Sequence, residues 1–237
     1  MLPIAPGAAA VVLLFGTAGL HAQQEPPKDP PKVDKEFAER LKQASKELNA
    51  QQKVRDIQNQ ALQNLRQVGL ALFKFNAEYG GFPNEKTVVT LKEKRGIKAE
   101  LAAATANDCF LQLVAAQLIE DPKYFTFEKP DPPEAHEGHD HHHHHHDVDK
   151  CSFALVSLPD ASGNPLQPLA VGPLVKGKTT FDPGPLGGSA VILRLDNSVV
   201  LAPIDKEGRV MLEGKDLFDP EQSFWKDGVP PIKWPKD

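Results

Sequence analysis

The fold is decided by residues 64–83, NLRQVGLALFKFNAEYGGFP. Apolar side chains recur there at steps of three and four, which places them on one face of an α-helix: Leu65, Val68, Leu72 and Phe75. Gly80 and Gly81, followed by Pro83, are typical of the end of a helix. The stretch therefore predicts the last turns of a helix whose apolar face lies in the core.

The same helical periodicity extends back to residue 33 without a proline, through Phe37, Leu41, Ala44 and Leu48. Between Leu48 and Ile57 the apolar face thins to NAQQKVRD, and the other faces are densely charged. We predict one long helix, or two abutting ones, in segment 33–83, with the half before residue 50 exposed. That half is long enough to project into solvent or to self-associate as a coiled coil, and both alternatives stay open.

The chain beyond this helix predicts a second helix and then a sheet. Residues 101–119, LAAATANDCFLQLVAAQLI, are helical in pattern, with Thr105 or Asn107 as N-cap. Residues 151–158, 189–195 and 198–204 are rich in strand-forming residues, and Asp196-Asn197 suits a two-residue hairpin turn. Residues 209–214 favour a further short strand. Trp225 and Trp234 are expected to be packed rather than exposed.

These elements predict an α+β fold, in which a long N-terminal α-helix packs on a small antiparallel sheet. The domain organisation that follows is a signal peptide over residues 1–22, a proline-rich linker over 23–32, the long helix over 33–83 and a head over 84–237. A disordered histidine-rich loop is expected over 129–149.

The N-terminal residues predict export. Residues 4–20, IAPGAAAVVLLFGTAGL, form an uncharged run of signal-peptide length, followed by a polar, proline-rich segment. We expect localisation in the periplasm or outside the cell, with no stable membrane span once the signal is cleaved. Retention of this segment as an anchor is the alternative.

Cys109 and Cys151 are the two cysteines of the chain. In an exported protein they predict a disulfide, which would close the histidine-rich segment at its base. Two buried free thiols are the alternative. A catalytic cysteine is not favoured, because neither residue has a histidine or asparagine near it in a recognisable pattern.

Eight of the nine histidines fall within eleven residues: His136, His139, His141, His142, His143, His144, His145 and His146. Neutral imidazole is a good ligand for Zn²⁺, Ni²⁺ and Cu²⁺, so loose binding of these ions is expected, with no cofactor required. Two interpretations stay open: a role as metal buffer or sensor, and a tolerated low-complexity insertion in a surface loop. A response to pH is a third, because imidazoles gain charge as pH falls through 6.

The sequence contains no nucleophile elbow, phosphate-binding loop, zinc-binding helix or paired carboxylates, which predicts a protein without enzymatic activity. The net charge of −5 is modest and both signs are interspersed, so nucleic acid is not an expected partner.

Residues 64–83 also carry a resemblance. They are similar to the C-terminal end of the first helix in pilin-like proteins of the type II secretion pseudopilin group. The matching residues are Asn64, Leu65, Arg66, Gln67, Val68, Gly69, Leu70, Ala71, Tyr79, Gly80, Phe82 and Pro83. The resemblance spans about residues 60–237. It implies a pilin-like head and a calcium site as an alternative ligand site, for which Asp205, Asp216 and Asp219 are candidates.

The chain departs from that group at its N-terminal end. It has neither the Gly-Phe-x-Leu-(x)-Glu processing site nor the apolar half-helix, and a charged helix over residues 34–56 stands in their place. A charged helix cannot span lipid, so fibre assembly in the usual way is not expected. The resemblance implies a structural or interaction module with envelope or secretion-system partners. The alternative is a periplasmic metal-binding protein acting through its histidines.

Overall fold

The structure is a computed structural model that describes residues 35–127, 148 and 150–236. The predicted fold class is confirmed: the protein is α+β, with a long helix and a five-stranded antiparallel sheet. The chain divides into two compact units, residues 1–45 and 46–237. The described residues of the first unit, 35–45, are all helical, and the remaining elements belong to the second unit.

Helix α1 (Lys35–Tyr79) has 45 residues and confirms the predicted long helix. Its buried residues all lie in the second half: Ala61, Asn64, Leu65, Val68, Gly69, Ala71, Leu72, Phe75 and Tyr79. The helix ends where the sequence predicts, because Gly80 adopts a φ of 76°, a left-handed conformation that favours glycine.

Two shorter helices follow, α2 (Glu85–Arg95) and α3 (Ala106–Ala115). The predicted N-cap Thr105 of the second predicted helix is confirmed, but α3 ends at Ala115, before the predicted end at residue 119. Thr105 caps α3 by accepting from the backbone N–H of Asp108, whose carboxylate accepts from the N–H of Thr105 in return. The chain leaves the helix at Gln117, which has a φ of 60°. Helix α2 was not predicted, because it buries only Thr87 and Leu91 and so shows little apolar periodicity.

The strands are short and all pair in antiparallel fashion. They are β1 (Ala154–Val156), β2 (Pro168–Gly172), β3 (Ser189–Arg194), β4 (Val199–Pro203), β5 (Met211–Leu212), β6 (Lys215–Asp216) and β7 (Ile232–Lys233). The main sheet has the order β4-β3-β2-β1-β7, and β5 pairs with β6 separately. Strands β2 and β7 were not predicted, because prolines begin or precede them.

The β3–β4 hairpin is confirmed, but its turn is longer than the predicted two residues. The backbone N–H of Asn197 donates to the carbonyl of Arg194 at 3.0 Å, and that of Arg194 donates to Ser198 at 2.9 Å. Asn197 has a φ of 63°, so it supplies the left-handed residue that closes a three-residue loop. Trp225 is buried as expected and donates to the carbonyl of Leu217 at 2.9 Å, while Trp234 is half-buried.

Helix α1 lies directly on the β3–β4 hairpin, at a position where only glycine fits. A Cβ added to Gly69 would stand 2.6 Å from Oδ1 of Asn197 and 2.9 Å from Cδ1 of Leu193. Farther along, a Cβ on Gly81 would stand 2.8 Å from the carbonyl oxygen of Pro159, which accepts from the N–H of Phe82. Gly69 therefore allows helix and sheet to approach closely, and Gly81 allows the chain after the helix to lie against Pro159.

Candidate interaction surface

No residue in the first part of α1 is buried by the described residues. Every residue from Lys35 to Lys53 is exposed, and burial begins at Val54, whose side chain lies against Gly187. The large apolar side chains of this part are among the most exposed in the described chain: Phe37 at 57%, Leu41 at 55% and Leu48 at 66%. Together with Ala44 they follow one another at steps of four, three and four. We call these four residues the N-terminal stripe.

Charged and small residues border the N-terminal stripe on opposite sides. Arg40 and Glu47 lie along one border and Ala38 and Ser45 along the other, by their places in the helical repeat. The guanidinium of Arg40 contacts the carboxylate of Glu36 at 2.5 Å, and both side chains are mostly exposed. Such a solvated pair contributes little to stability.

All eight predicted metal-binding histidines lie outside the described residues, as does all of 129–149 except Val148. The described residues on either side of them are held together. The N–H of Ser152 donates to the carbonyl of Phe125 at 2.8 Å, and the Asn107 side chain donates to the carbonyl of Val148 at 2.6 Å. Asn107, expected as a possible N-cap, thus fixes the point where the chain returns to the start of α3.

Cys109 and Cys151 are free thiols in the structure. The thiol of Cys109 donates to the carbonyl of Pro83 at 3.4 Å, and that of Cys151 donates to the carbonyl of Phe153 at 3.2 Å. Removal from water raises the pKa of each thiol to about 12, since burial disfavours the thiolate. A thiol held protonated is a poor nucleophile. The disulfide between them stays a prediction.

The three candidate calcium ligands each close a local turn. Asp205 accepts from the backbone of Glu207 and of Arg209, Asp216 from that of Phe218, and Asp219 from that of Glu221. The carboxylate of Asp205 also contacts the Arg209 guanidinium at 3.0 Å. Within residues 35–127, 148 and 150–236, no three histidine, cysteine, aspartate or glutamate side chains cluster in a way that could hold a metal ion.

A cavity of about 590 Å³ lies at the start of α2, the helix that was not predicted from the sequence. The sequence does contain signals for helix α2: Asn84 and Thr87 form a capping box at its start, and Gly96, with a φ of 65°, ends it. Two polar contacts lie at the cavity, whereas the hydroxyl of Ser157, which also lines it, is buried without a hydrogen-bond partner. The hydroxyl of Thr87 bonds to Gln112, and Nζ of Lys233 contacts Glu85 at 3.1 Å.

The pKa of Glu85 is lowered at this cavity, first by a backbone N–H at the start of α2 and then by the ammonium group of Lys233. A carboxylate held ionised in this way is a weak general base. The side chains around the cavity therefore serve the capping of α2 and the attachment of β7.

Among the described residues, none of the helices is both long enough and apolar enough to cross a membrane. Comparison of the chain with known proteins found no matching protein-family model, no matching curated protein and no matching solved structure.

Proposed function

We propose that the chain is an exported structural or interaction module without enzymatic activity, built on a pilin-like head. Its partners would be envelope or secretion-system proteins, in the periplasm or outside the cell. The proposal joins two features: a helix packed on an antiparallel sheet, and a helical surface that the described residues leave uncovered.

The packing around residues 64–83 supports the pilin-like interpretation of the head. Several of the residues that carry the resemblance hold the helix to the rest of the head. Asn64 donates to the carbonyls of Lys123 and Thr126, at 3.1 and 2.5 Å, and Gly69 allows the hairpin to approach. Phe82 is fully buried. Arg66, Gln67 and Leu70 are exposed, so the argument rests on the buried members of the motif, which are expected to accompany the same arrangement of elements.

The exposure of residues 35–53 is the observation that carries the proposed function. An isolated helix of this length is marginal in water, and apolar side chains on its surface gain nothing from exposure. Phe37, Leu41 and Leu48 nevertheless occupy one face. Such a face is typical of a helix that binds a partner through residues at heptad spacing.

Site-specific photo-crosslinking tests this role in cells that produce the protein. A photoreactive residue replaces Leu41 in the N-terminal stripe or, as a matched control, the exposed Glu39 on the opposite face of α1. We expect a discrete adduct from position 41 that is absent from position 39. Equal adducts from both positions, or none from either, would contradict the interaction role.

A metal-binding function is the second candidate, and the density of histidines between residues 136 and 146 favours it. Several imidazoles in a short segment offer interchangeable ligand pairs for Zn²⁺, Ni²⁺ or Cu²⁺. Because Asn107 and Ser152 hold the two flanking ends in place, residues 134–147 can be deleted without removing a described residue of the fold.

Calorimetric titration of the untagged protein, beside a variant lacking residues 134–147, separates the two candidates. One tight, metal-selective site that disappears with the deletion would make metal binding the function. Several weak sites with little preference among metals would leave the interaction role as the better account.

A further inference from the structure

The cavity at the start of α2 has the size and the mixed walls of a small-molecule site. Its volume of about 590 Å³ lies within the range of about 300–1,000 Å³ that is typical of such sites. Leu158, Pro159 and Pro231 form apolar parts of its wall, and the first turns of α2 form much of the polar part. All of these residues belong to the second compact unit, so the cavity lies within one body.

The backbone around the cavity is held in place from two sides. The N–H of Phe82 donates to the carbonyl of Pro159 at 3.1 Å, and the N–H of Ser157 donates to the carbonyl of Pro231 at 2.8 Å. Gly81 packs so closely on Pro159 that a Cβ there would stand 2.8 Å from the carbonyl oxygen. A cavity formed in advance spends little binding free energy on ordering its walls.

An anion would find few free donors at the start of α2. The N–H groups of Lys86 and Thr87 both donate to Oδ1 of Asn84, at 2.7 and 3.1 Å. The carboxylate of Glu85 already takes up a backbone N–H and the ammonium group of Lys233. These contacts use the groups that make a helix N-terminus attractive to anions. The cavity therefore favours a neutral ligand.

Four polar groups of the wall keep hydrogen-bonding capacity for such a ligand. The hydroxyl oxygen of Ser157 is buried without a partner, and within the described chain neither the hydroxyl of Thr90 nor the ammonium group of Lys86 makes a hydrogen bond. The carboxylate of Asp160 accepts from the backbone N–H of Ser162 at 2.8 Å and can accept further bonds. The set thus combines a donor, an acceptor and two hydroxyls that do both.

Ligand hydroxyl groups match this set, because each of them can both donate and accept. A carboxylate would pair with Lys86 but be repelled by Asp160, and an ammonium group would meet the reverse. A neutral hydroxyl can bond to either charge, and such bonds are stronger than those between two neutral groups. The C–H groups of a sugar ring would lie against the apolar parts of the wall.

We propose that the cavity at the start of α2 binds a neutral sugar residue. The groups that bond its hydroxyls are those of Ser157, Thr90, Lys86 and Asp160. This site is separate from the N-terminal stripe and goes beyond the proposed interaction role, which neither requires it nor is required by it.

NMR titration of the ¹⁵N-labelled, untagged full chain with glucose, galactose and N-acetylglucosamine tests the proposal. We expect at least one of these sugars to shift the amide signals of residues 84–90 and 157–160 saturably, with a dissociation constant on the order of 1–10 mM. Glucosamine and glucuronate carry one positive and one negative charge. Both should bind more weakly than glucose, because each meets a like charge in the wall.

Two variants and a control link binding to the cavity. Ser157→Ala and Thr90→Val each remove one hydroxyl and should weaken binding about fivefold or more. Ser223→Ala changes an exposed serine that does not line the cavity and should bind like the wild type. Since Ser157→Ala removes a buried hydroxyl without a partner, its melting temperature should equal or exceed that of the wild type. Weakened binding in that variant therefore reports on the site and not on unfolding.

Three results would overturn the proposal. The first is the absence of saturable shifts with all three neutral sugars up to about 100 mM. The second is tighter binding of glucuronate than of glucose, which would make the cavity an anion site. The third is binding that stays unchanged in both Ser157→Ala and Thr90→Val, since the sugar would then lie elsewhere.

Discussion

Leu72 and Leu70 differ in environment although they lie two residues apart on α1. Leu72 is completely buried, and Leu70 is 47% exposed. We expect Leu72→Asp to abolish soluble folding, because burying an unpaired carboxylate costs more than a small domain can supply. Leu70→Asp, the matched control, should fold and melt within a few degrees of the wild type, by circular dichroism. A Leu72→Asp protein that melts like the wild type would show that this face is not core.

Gly69 offers a sharper test of how α1 meets the sheet. Glycine to alanine inside a helix ordinarily stabilises by up to about 1 kcal/mol. Here the added Cβ would overlap Oδ1 of Asn197 and Cδ1 of Leu193. We therefore expect Gly69→Ala to lower the free energy of unfolding by about 1–3 kcal/mol in urea titrations.

The Gly69→Ala effect can be traced to its partner with a second substitution. Asn197→Gly removes the nearer atom and suits the φ of 63° at that position. The double variant Gly69→Ala, Asn197→Gly should recover part of the lost stability. If Gly69→Ala alone stabilises the protein, helix and hairpin do not approach as closely as described.

The raised pKa values of the two thiols, Cys109 buried and Cys151 half-buried, predict a pH dependence. In the reduced protein, the pKa of Cys109 and Cys151 is about 12, above the ordinary value near 8.5 of an unfolded cysteine. Their contribution to stability is therefore complete below about pH 8.5 and falls as pH rises toward 12. At pH 8 both thiols should react with a disulfide reagent at least about a hundredfold more slowly than in the unfolded chain.

Two observations test these predictions about the thiols, the slow reaction and the disulfide. Reaction of the reduced native protein at the rate of the unfolded chain would contradict the raised pKa values of both thiols. Omitting the reductant tests the predicted disulfide separately, because a bridged protein presents no thiol even after unfolding.

Helix α1 is one element with two different environments. Residues 35–53 are exposed throughout, whereas the later turns hold the core. We expect deletion of residues 35–53 to change the free energy of unfolding by less than about 1 kcal/mol, since no buried surface is lost. Leu65→Ala, a single change in the buried half, should cost about 2–5 kcal/mol. A large loss of stability on deletion would show that the first half packs on its own chain.

The elements that the sequence predicts well are those with strong apolar periodicity. The second half of α1 and the β3–β4 hairpin are confirmed for this reason. Helix α2 was not predicted, because its sequence signals are the caps Asn84 and Gly96 rather than an apolar face. Strand β7 was not predicted, because it lies among prolines. It forms a strand through its pairing with β1 in the tertiary structure.

At the scale of the whole molecule, the sequence predicts an exposed first half of α1 more readily than it predicts what that half binds. The thinning of apolar residues after Leu48 was enough to divide the helix, and burial in the described residues agrees with that division. Orientation of a partner depends on which charges face each other across the contact. Those positions follow only once the helix is known to continue without a break.

Hydrogen exchange of the full chain, followed by mass spectrometry over a range of protein concentrations, tests the central claim most directly. The amides of residues 61–79 should be strongly protected at every concentration, because they belong to the core. Those of 35–53 should exchange within about tenfold of the unfolded rate in dilute protein, as a marginal helix does. Protection of 35–53 equal to that of 61–79 in the most dilute sample would contradict the claim, since the segment would then be buried by its own chain.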